Sequence, residues 1–433
     1  MSLSRGVRLL AVFLIAIAVA GCGNKSNSSS GSNLRFMNAL VDGGAINVTI
    51  GDQNTTVVTG LPFEGLTGYL GVGSGTQEIK VSVSGGTSTV IDQTLNLSGD
   101  QNYTYIVYGT ASAPLATITP DTPATNPANG VFYLRVTNAA FGTPGLDVYV
   151  TTPGASLATA SPNISNIQQG GTSGFATLNS GALQVRYTLA NSKQVIYDSG
   201  PVTFNSTLTY SMVAYTKGSS TLVNASLFNI DSSNTATGAL VNSKVAQFKV
   251  IHAAPGTSNI NAFVDGTVAL ANIPYQGASS YGIEPSGTHT VTIETTAQPG
   301  AVIASTQPPF SPATDTSIVV TGTPGATTAV AHNDNNLPGS AGRARVRFAN
   351  VSPNVGPVDV YVNFAPKVAN LATNAGSAYI ELVEDTYVVN FDLAGTTTVV
   401  LNLPGIALTA GSTYTLYLVG TSDALSGVLT RDD

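Results

Sequence analysis

Residues 346–362 read VRFANVSPNVGPVDVYV. In the last five, Val358, Val360 and Val362 alternate with Asp359 and Tyr361. Successive side chains of a strand point to opposite faces, so this spacing puts the valines on a buried face and Asp359 and Tyr361 on the other. The opening residues alternate likewise, with Val346 and Phe348 inward and Arg347 outward. Short runs rich in Thr, Val, Ile and Tyr follow: SAYIEL, TYVVNF, TTVVLNL, TYTLYLV and GVLTR, with Gly, Pro, Asn and Ser among and between them. Strands spaced about 8–12 residues apart and punctuated by turn residues predict a β-sandwich. No stretch after residue 21 keeps a helical period over three turns. The expectation is an all-β sandwich of immunoglobulin-like or transthyretin-like kind.

The same order occurs four times. LRFMNA begins at Leu34, LRVTNA at Leu134, FKVIHA at Phe248 and VRFANV at Val346. Each block carries a base second: Arg35, Arg135, Lys249 and Arg347. Twelve residues later stands Asn47, Asp147, Asn261 or Asp359. An aromatic follows (Tyr69, Phe175, Tyr281, Tyr379), and each copy closes on an acid (Asp121, Asp231, Asp334, Asp432). Base and closing acid are 86, 96, 85 and 85 residues apart. Such order predicts four modules, at 34–121, 132–231, 246–334 and 344–433. A unit of about 100 residues is large enough to hold its own core. The connector 122–131 carries two prolines and reads as stiff, whereas 232–245 and 335–343 read as flexible. Four such modules in line would reach about 130–140 Å.

Composition bounds the function. The chain has 433 residues, of which 9% are charged, with a net charge of -7. Soluble domains average about 25% charged residues. That balance leaves no basic surface for neutralising a run of phosphates, so nucleic acid is excluded as a partner. A single cysteine excludes an intramolecular disulfide and a cysteine-rich metal site.

That cysteine has a distinctive position. Arg5 and Arg8 precede a run of twelve apolar residues, Leu9 to Ala20, too short to cross a bilayer as a helix. It fits the core of a signal peptide. The residues Val19-Ala20-Gly21-Cys22 resemble the lipobox of bacterial lipoproteins. That resemblance implies cleavage of residues 1–21, acylation of Cys22 on thiol and amine, and a membrane partner through the acyl chains. Two or three chains make a stable anchor. Residues 23–33 (GNKSNSSSGSN) read as a flexible tether after Cys22. Gly23, where an Asp would favour the inner membrane, implies the outer membrane.

The [LV]R[VF]xNA start, the [IVL][DN]VYV strand, the Gly/Ser-x-Tyr strand and a Tyr-rich strand before a closing Asp resemble the bacterial family called domain of unknown function 4397. The likeness spans residues 34 to 432, and repeat 3 departs most, with Lys249, His252 and Ala262-Phe263. The resemblance implies secreted or lipid-anchored tandem modules and assigns no activity.

Chemistry is sparse. His252, His289 and His332 all lie in repeat 3, without the spacing of a zinc site, and read as polar residues at strand ends. No G-x-S-x-G elbow occurs, and repeats 1, 2 and 4 hold no histidine to act as a base. No catalytic residue, metal ligand or cofactor is therefore expected. Arg135 with Asp147, and Arg347 with Asp359, are placed to pair across a hairpin as exposed ion pairs worth about 0–1 kcal/mol. The closing Asp is an alternative partner for the base, or a cap for a terminal turn. Tyr149, Phe263 and Tyr361 share an outward position and are the candidate contact residues for a protein or glycan; repeat 1 has Thr49 there. Packing under a loop or between domains is the other reading of these rings. The functional expectation is a non-enzymatic, lipid-anchored envelope protein for display, adhesion or spacing. The alternatives are a periplasm-facing carbohydrate- or peptide-binding lipoprotein and, last, a secreted hydrolase.

Overall fold

The computed structural model describes residues 31–51, 55–86, 88–218, 221–230 and 238–433. Cys22 and Asp231 lie outside the described residues. The described chain is all-β, in four modules of one architecture. In the first, one sheet runs Leu70–Val72, Ser32–Leu40, Asn102–Thr110, Ala113–Pro120 and the other Thr55–Leu61, Ile46–Ile50, Gly75–Val83, Thr89–Leu97. The opening strand lies parallel to the penultimate one, Leu34 opposite Tyr103, and the remaining pairings are antiparallel. This parallel pairing recurs as Leu134 with Tyr210, Phe248 with Thr316 and Val346 with Tyr414. In the second module the sheet continues to Gly238–Val241, inside the segment read as a connector.

Each module has its own core between its two sheets, as the alternation predicts. In the fourth, Val346 and Phe348 meet Val358, Val360 and Val362 there. The cores rest on aliphatic residues, Phe and Tyr; Phe132 stacks on Phe204 at 4.6 Å in the second. Burying one such aliphatic side chain contributes about 1.5–3 kcal/mol.

The penultimate strands are buried on both faces. Along Asn102–Thr110, Tyr105 and Val107 enter the core of the first module, and Ile106 and Tyr108 point the other way. Ile106 and Tyr108 join Met37 and Ala39 in a second apolar cluster with Ala139, Val213, Tyr215 and Phe228 of the second module. The third and fourth modules repeat this with Ile251, Ala253 and Val319 against Ala349, Val351, Tyr417 and Val419. The modules are thus packed sheet to sheet in two pairs, first with second and third with fourth. The modular sequence admits both in-line and folded-back arrangements, and the structure is folded back in pairs: a sheet whose outer face is apolar must cover it, and the neighbouring copy carries the matching face. The second and third modules also touch, through Ile283 against the second core and the Thr221 hydroxyl donating to Gln247 Oε1 at 3.1 Å.

Candidate functional site

The repeated polar residues divide into two sets, and the first stays inside its own module. The side chain of Asn47 accepts from the backbone N–H of Gly60, Asp147 from Asn166, Asn261 from Asn272 and Asp359 from Asn370. Each N–H donor has a positive φ, between 52° and 64°. The acid or amide therefore fastens a left-handed bulge beside its own strand. Asp147 and Asp359 are occupied in this way, and the expected ion pairs to Arg135 and Arg347 do not form. Asn38, Asn138 and Asn350 each bridge two carbonyls with the amide and accept from the backbone two residues on. His252 takes this position in the third module, its Nε2 facing the Ser258 carbonyl at 3.1 Å and its Nδ1 accepting from Ala254. Burial lowers its pKa, and the neutral ring serves as an amide substitute.

The second set crosses between modules. Asp334 closes the third module and accepts from its own Tyr281 Oη at 2.6 Å and Ser317 Oγ at 2.8 Å. Its remaining oxygen takes a hydrogen bond from Nη2 of Arg347, in the fourth module. Arg347 Nη1 donates to the Asn333 carbonyl at 2.8 Å and Nε to Thr415 Oγ1 at 2.7 Å. Asp432 closes the fourth module, held by Tyr379 at 2.8 Å and Thr415 at 2.5 Å, and receives Lys249 Nζ from the third at 2.6 Å. The exchange is reciprocal, each module's base meeting its partner's closing acid.

The first pair follows this plan in one direction, and there Asp121 also pairs with Arg35 of its own module, Oδ2 to Nη2 at 3.1 Å. Asp121 accepts from Tyr69 and Thr104, each at 2.6 Å, and from Nη2 of Arg135 in the second module. Arg35 reaches toward the second module, with Nη1 donating to the Asn229 carbonyl at 3.4 Å and its guanidinium 4.2 Å from the Phe228 ring. The repeated aromatics lie against the bases: Tyr69 on Arg35, Phe175 on Arg135, Tyr281 on Lys249 and Tyr379 on Arg347, at 4.6–5.2 Å. Burial first, and the adjacent carboxylates second, hold the Tyr69, Tyr281 and Tyr379 hydroxyls well above their ordinary pKa, so they stay protonated and donate. Burial disfavours charge on Arg347, but Asp334, Tyr417, Tyr379 and Asp432 together outweigh it and raise the guanidinium pKa.

Loops interlock around these centres. Glu64 accepts from Tyr215 Oη at 2.8 Å and pairs with Lys217 of the second module at 3.3 Å. In return, the Gly170 carbonyl takes the Thr117 hydroxyl of the first module at 2.8 Å. Thr321 of the third module donates to the Val351 carbonyl of the fourth at 2.5 Å.

Arg35, Arg135, Lys249, Arg347 and the acids Asp121, Asp334 and Asp432 are all buried. The expectation of exposed pairs is corrected: alternation does place the bases outside their own core, but that outside face is covered by a second module.

A family model described as "Domain of unknown function (DUF4397)" matches residues 32–149, 246–361 and 349–433. The chain belongs to this family. Two of the DUF4397 matches run past Asp121 and Asp334 into the first strands of the next module, and so include Arg135 and Arg347. The third match holds Asp432 without Lys249, the base that meets it. No curated protein matches the chain in sequence. Among solved structures, a family 26 carbohydrate-binding module of Eubacterium rectale Amy13K, in complex with maltoheptaose, is 12% identical (47% of this chain, 97% of that one, TM-score 0.16). The Bacillus anthracis TIE protein is 9% identical (91% and 75%, TM-score 0.16). The pneumococcal glycogen-degrading virulence factor SpuA is 10% identical (86% and 38%, TM-score 0.16).

The candidate contact aromatics do not form one surface. Tyr149 is 2% exposed, and its hydroxyl accepts from Lys193 at 3.0 Å. Of the two readings of this ring, packing under a loop is the one the structure favours, since the Lys193 side chain reaches across to the Ala160 carbonyl and closes over it. Phe263 and Tyr361 are half-buried, opposite Val268 and Thr292 in one module and Pro366 and Asn390 in the other. The three histidines lie apart: His252 at a strand end, His289 bonded to Asp265 at 2.7 Å, and His332 beside Arg347 at the module boundary. Among the described residues no group of three or more His, Cys, Asp or Glu is placed to hold a metal ion.

Proposed function

We propose that this DUF4397 protein is a non-enzymatic, lipid-anchored component of the bacterial cell envelope, held by Cys22 in the outer membrane and built as two rigid module pairs for display, adhesion or spacing. One observation carries the reading. The polar residues that recur from module to module are used in fastening bulges and in joining modules. A repeated enzyme would repeat a reaction centre; here repetition multiplies an assembly device. Paired modules hold their outer sheets at set angles, which suits a spacer or a scaffold for binding loops.

The anchor rests on the sequence around Cys22. Cys22→Ser tests it in cells. The variant is expected to leave the membrane fraction and to lose sensitivity of its processing to globomycin; unchanged membrane fractionation overturns the anchor. Protease shaving of intact cells tests display, and a protein left uncut opposes it.

A second reading, binding of a small uncharged ligand, is favoured by one cleft. It has a volume of about 420 Å³ and is lined by Val41 and Thr110 of the first module, Phe141 and Leu189 of the second, and Pro338. It carries no charged side chain. Mostly apolar clefts of this size between domains are common ligand sites. A glycan and peptide array separates this reading from a spacer role.

A further inference from the structure

We propose that the face joining the modules also accepts a module from a second copy of this chain, so that two chains exchange modules and form a dimer. The face is self-complementary. Equivalent strands meet from both sides, with Ala39, Ile106 and Tyr108 on one and their counterparts Ala139, Val213 and Tyr215 on the other. Each side reaches across, Arg135 to Asp121 and Arg35 to the Asn229 carbonyl. An interface of this isologous kind is the one used by symmetric dimers.

The covalent link between partners is not part of the face. Residues 122–130 form no strand and are exposed, apart from Pro127 and the half-buried Pro123. The third and fourth modules pair in the same geometry across a connector of unrelated sequence, Asn335 to Gly342. Pairing is therefore set by the faces and not by the connector. A module supplied by another chain meets the same apolar cluster, the same carboxylate and the same base.

Concentration decides which form wins. A short connector holds its partner at an effective concentration set by its length and stiffness, in the millimolar range. In dilute solution the chain closes on itself. Where chains crowd toward that density, exchange forms the same contacts at no loss. The inference rests on the module pairing alone and stands whether or not Cys22 is acylated.

Charge complementation tests it with two full-length variants. Both variants carry Arg35→Gln, which removes the own-module cation whose Nη2 lies 3.1 Å from Asp121. On that background Asp121→Arg sets a second cation against Arg135, and Arg135→Asp sets a second anion against Asp121. Neither chain can close its first pair without like charges meeting. In an exchanged dimer of the two, one pair is native and the other is reversed. Refolded together at micromolar concentration, the mixture is expected to give a mixed dimer at about ten times the level seen for co-refolded wild-type chains. A mixture that behaves as the sum of the two separate chains overturns the proposal. The second arm uses native sequence, with wild-type and affinity-tagged wild-type chains refolded together at about 1 mM and read by native mass spectrometry. Mixed dimers are expected; tagged and untagged monomers without mixed species overturn the proposal.

Discussion

Replacing Arg347 with alanine tests the buried exchange at its best-defined point. The side chain is 4% exposed and spends its donors on Asp334, the Asn333 carbonyl and Thr415, with its plane over Tyr379. Truncation leaves the Asp334 carboxylate buried without its counter-charge, and leaves a carbonyl unpaired. Breaking a buried pair by removing one partner costs about 3–5 kcal/mol. In a folding unit the size of the third and fourth modules together, each kcal/mol moves the melting temperature by about 2–4 °C. The expected fall is therefore about 6–20 °C. Calorimetry on the whole chain should place it in the transition of the second pair and leave that of the first pair in place. Arg431→Ala is the control, since that side chain is 61% exposed and pairs with Asp433 at the surface; it should change stability by no more than about 0.5 kcal/mol. A loss below about 1 kcal/mol for Arg347→Ala would be the behaviour of an exposed pair and would refute the buried exchange.

Three further outcomes follow from the same geometry. Tyr281→Phe removes one donor to Asp334 and should cost about 1.5–3 kcal/mol by urea denaturation, the worth of a hydrogen bond to a charged group; a neutral result would mean that the carboxylate does not need the phenol. His332 has its pKa lowered to about 4 by burial and then by Arg347, so the folded state binds its proton less readily than the unfolded chain does. Its stabilising contribution is complete above about pH 6.5 and is lost as pH falls toward 4. Wild type should therefore lose about 1–3 kcal/mol more than His332→Gln between pH 7 and pH 4.5, and equal losses would refute the assignment. His252→Asn should retain stability within about 1 kcal/mol, because asparagine does the same work in the other three modules; His252→Leu, which abandons the Ser258 carbonyl, should not.

The strands were legible because period two is a property of the backbone, and a run such as Val358–Val362 has one reading. The repeat was legible because base, aromatic and acid recur in fixed order. Partnership was harder to read. Alternation says that Arg347 points away from its own core, and outward was equated with water. The contrary signal was present in the penultimate strands. Ile106, Val213, Val319 and Tyr417 are apolar at the outward phase, and a strand apolar at both phases is buried on both faces. The low charge fits the same account, since each module gives one sheet face to a neighbour and needs fewer charges to cover it. Which acid meets which base was beyond reach, because Lys249 and Asp432 are separated by 183 residues. The role of Asn47 and its equivalents needed the bulge geometry, which is set by a positive φ that the sequence does not mark with glycine in three of the four modules.

The pairing of modules is tested most directly by a double-mutant cycle on Lys249 and Asp432, which sit in different modules with Nζ and Oδ1 at 2.6 Å. Lys249→Met, Asp432→Asn and the double variant are compared with wild type by urea denaturation. Modules that fold independently give additive losses, within about 0.3–0.5 kcal/mol. The paired structure predicts a coupling above about 1.5 kcal/mol, as close buried charges give across protein interfaces. Additivity at these two positions would contradict the account.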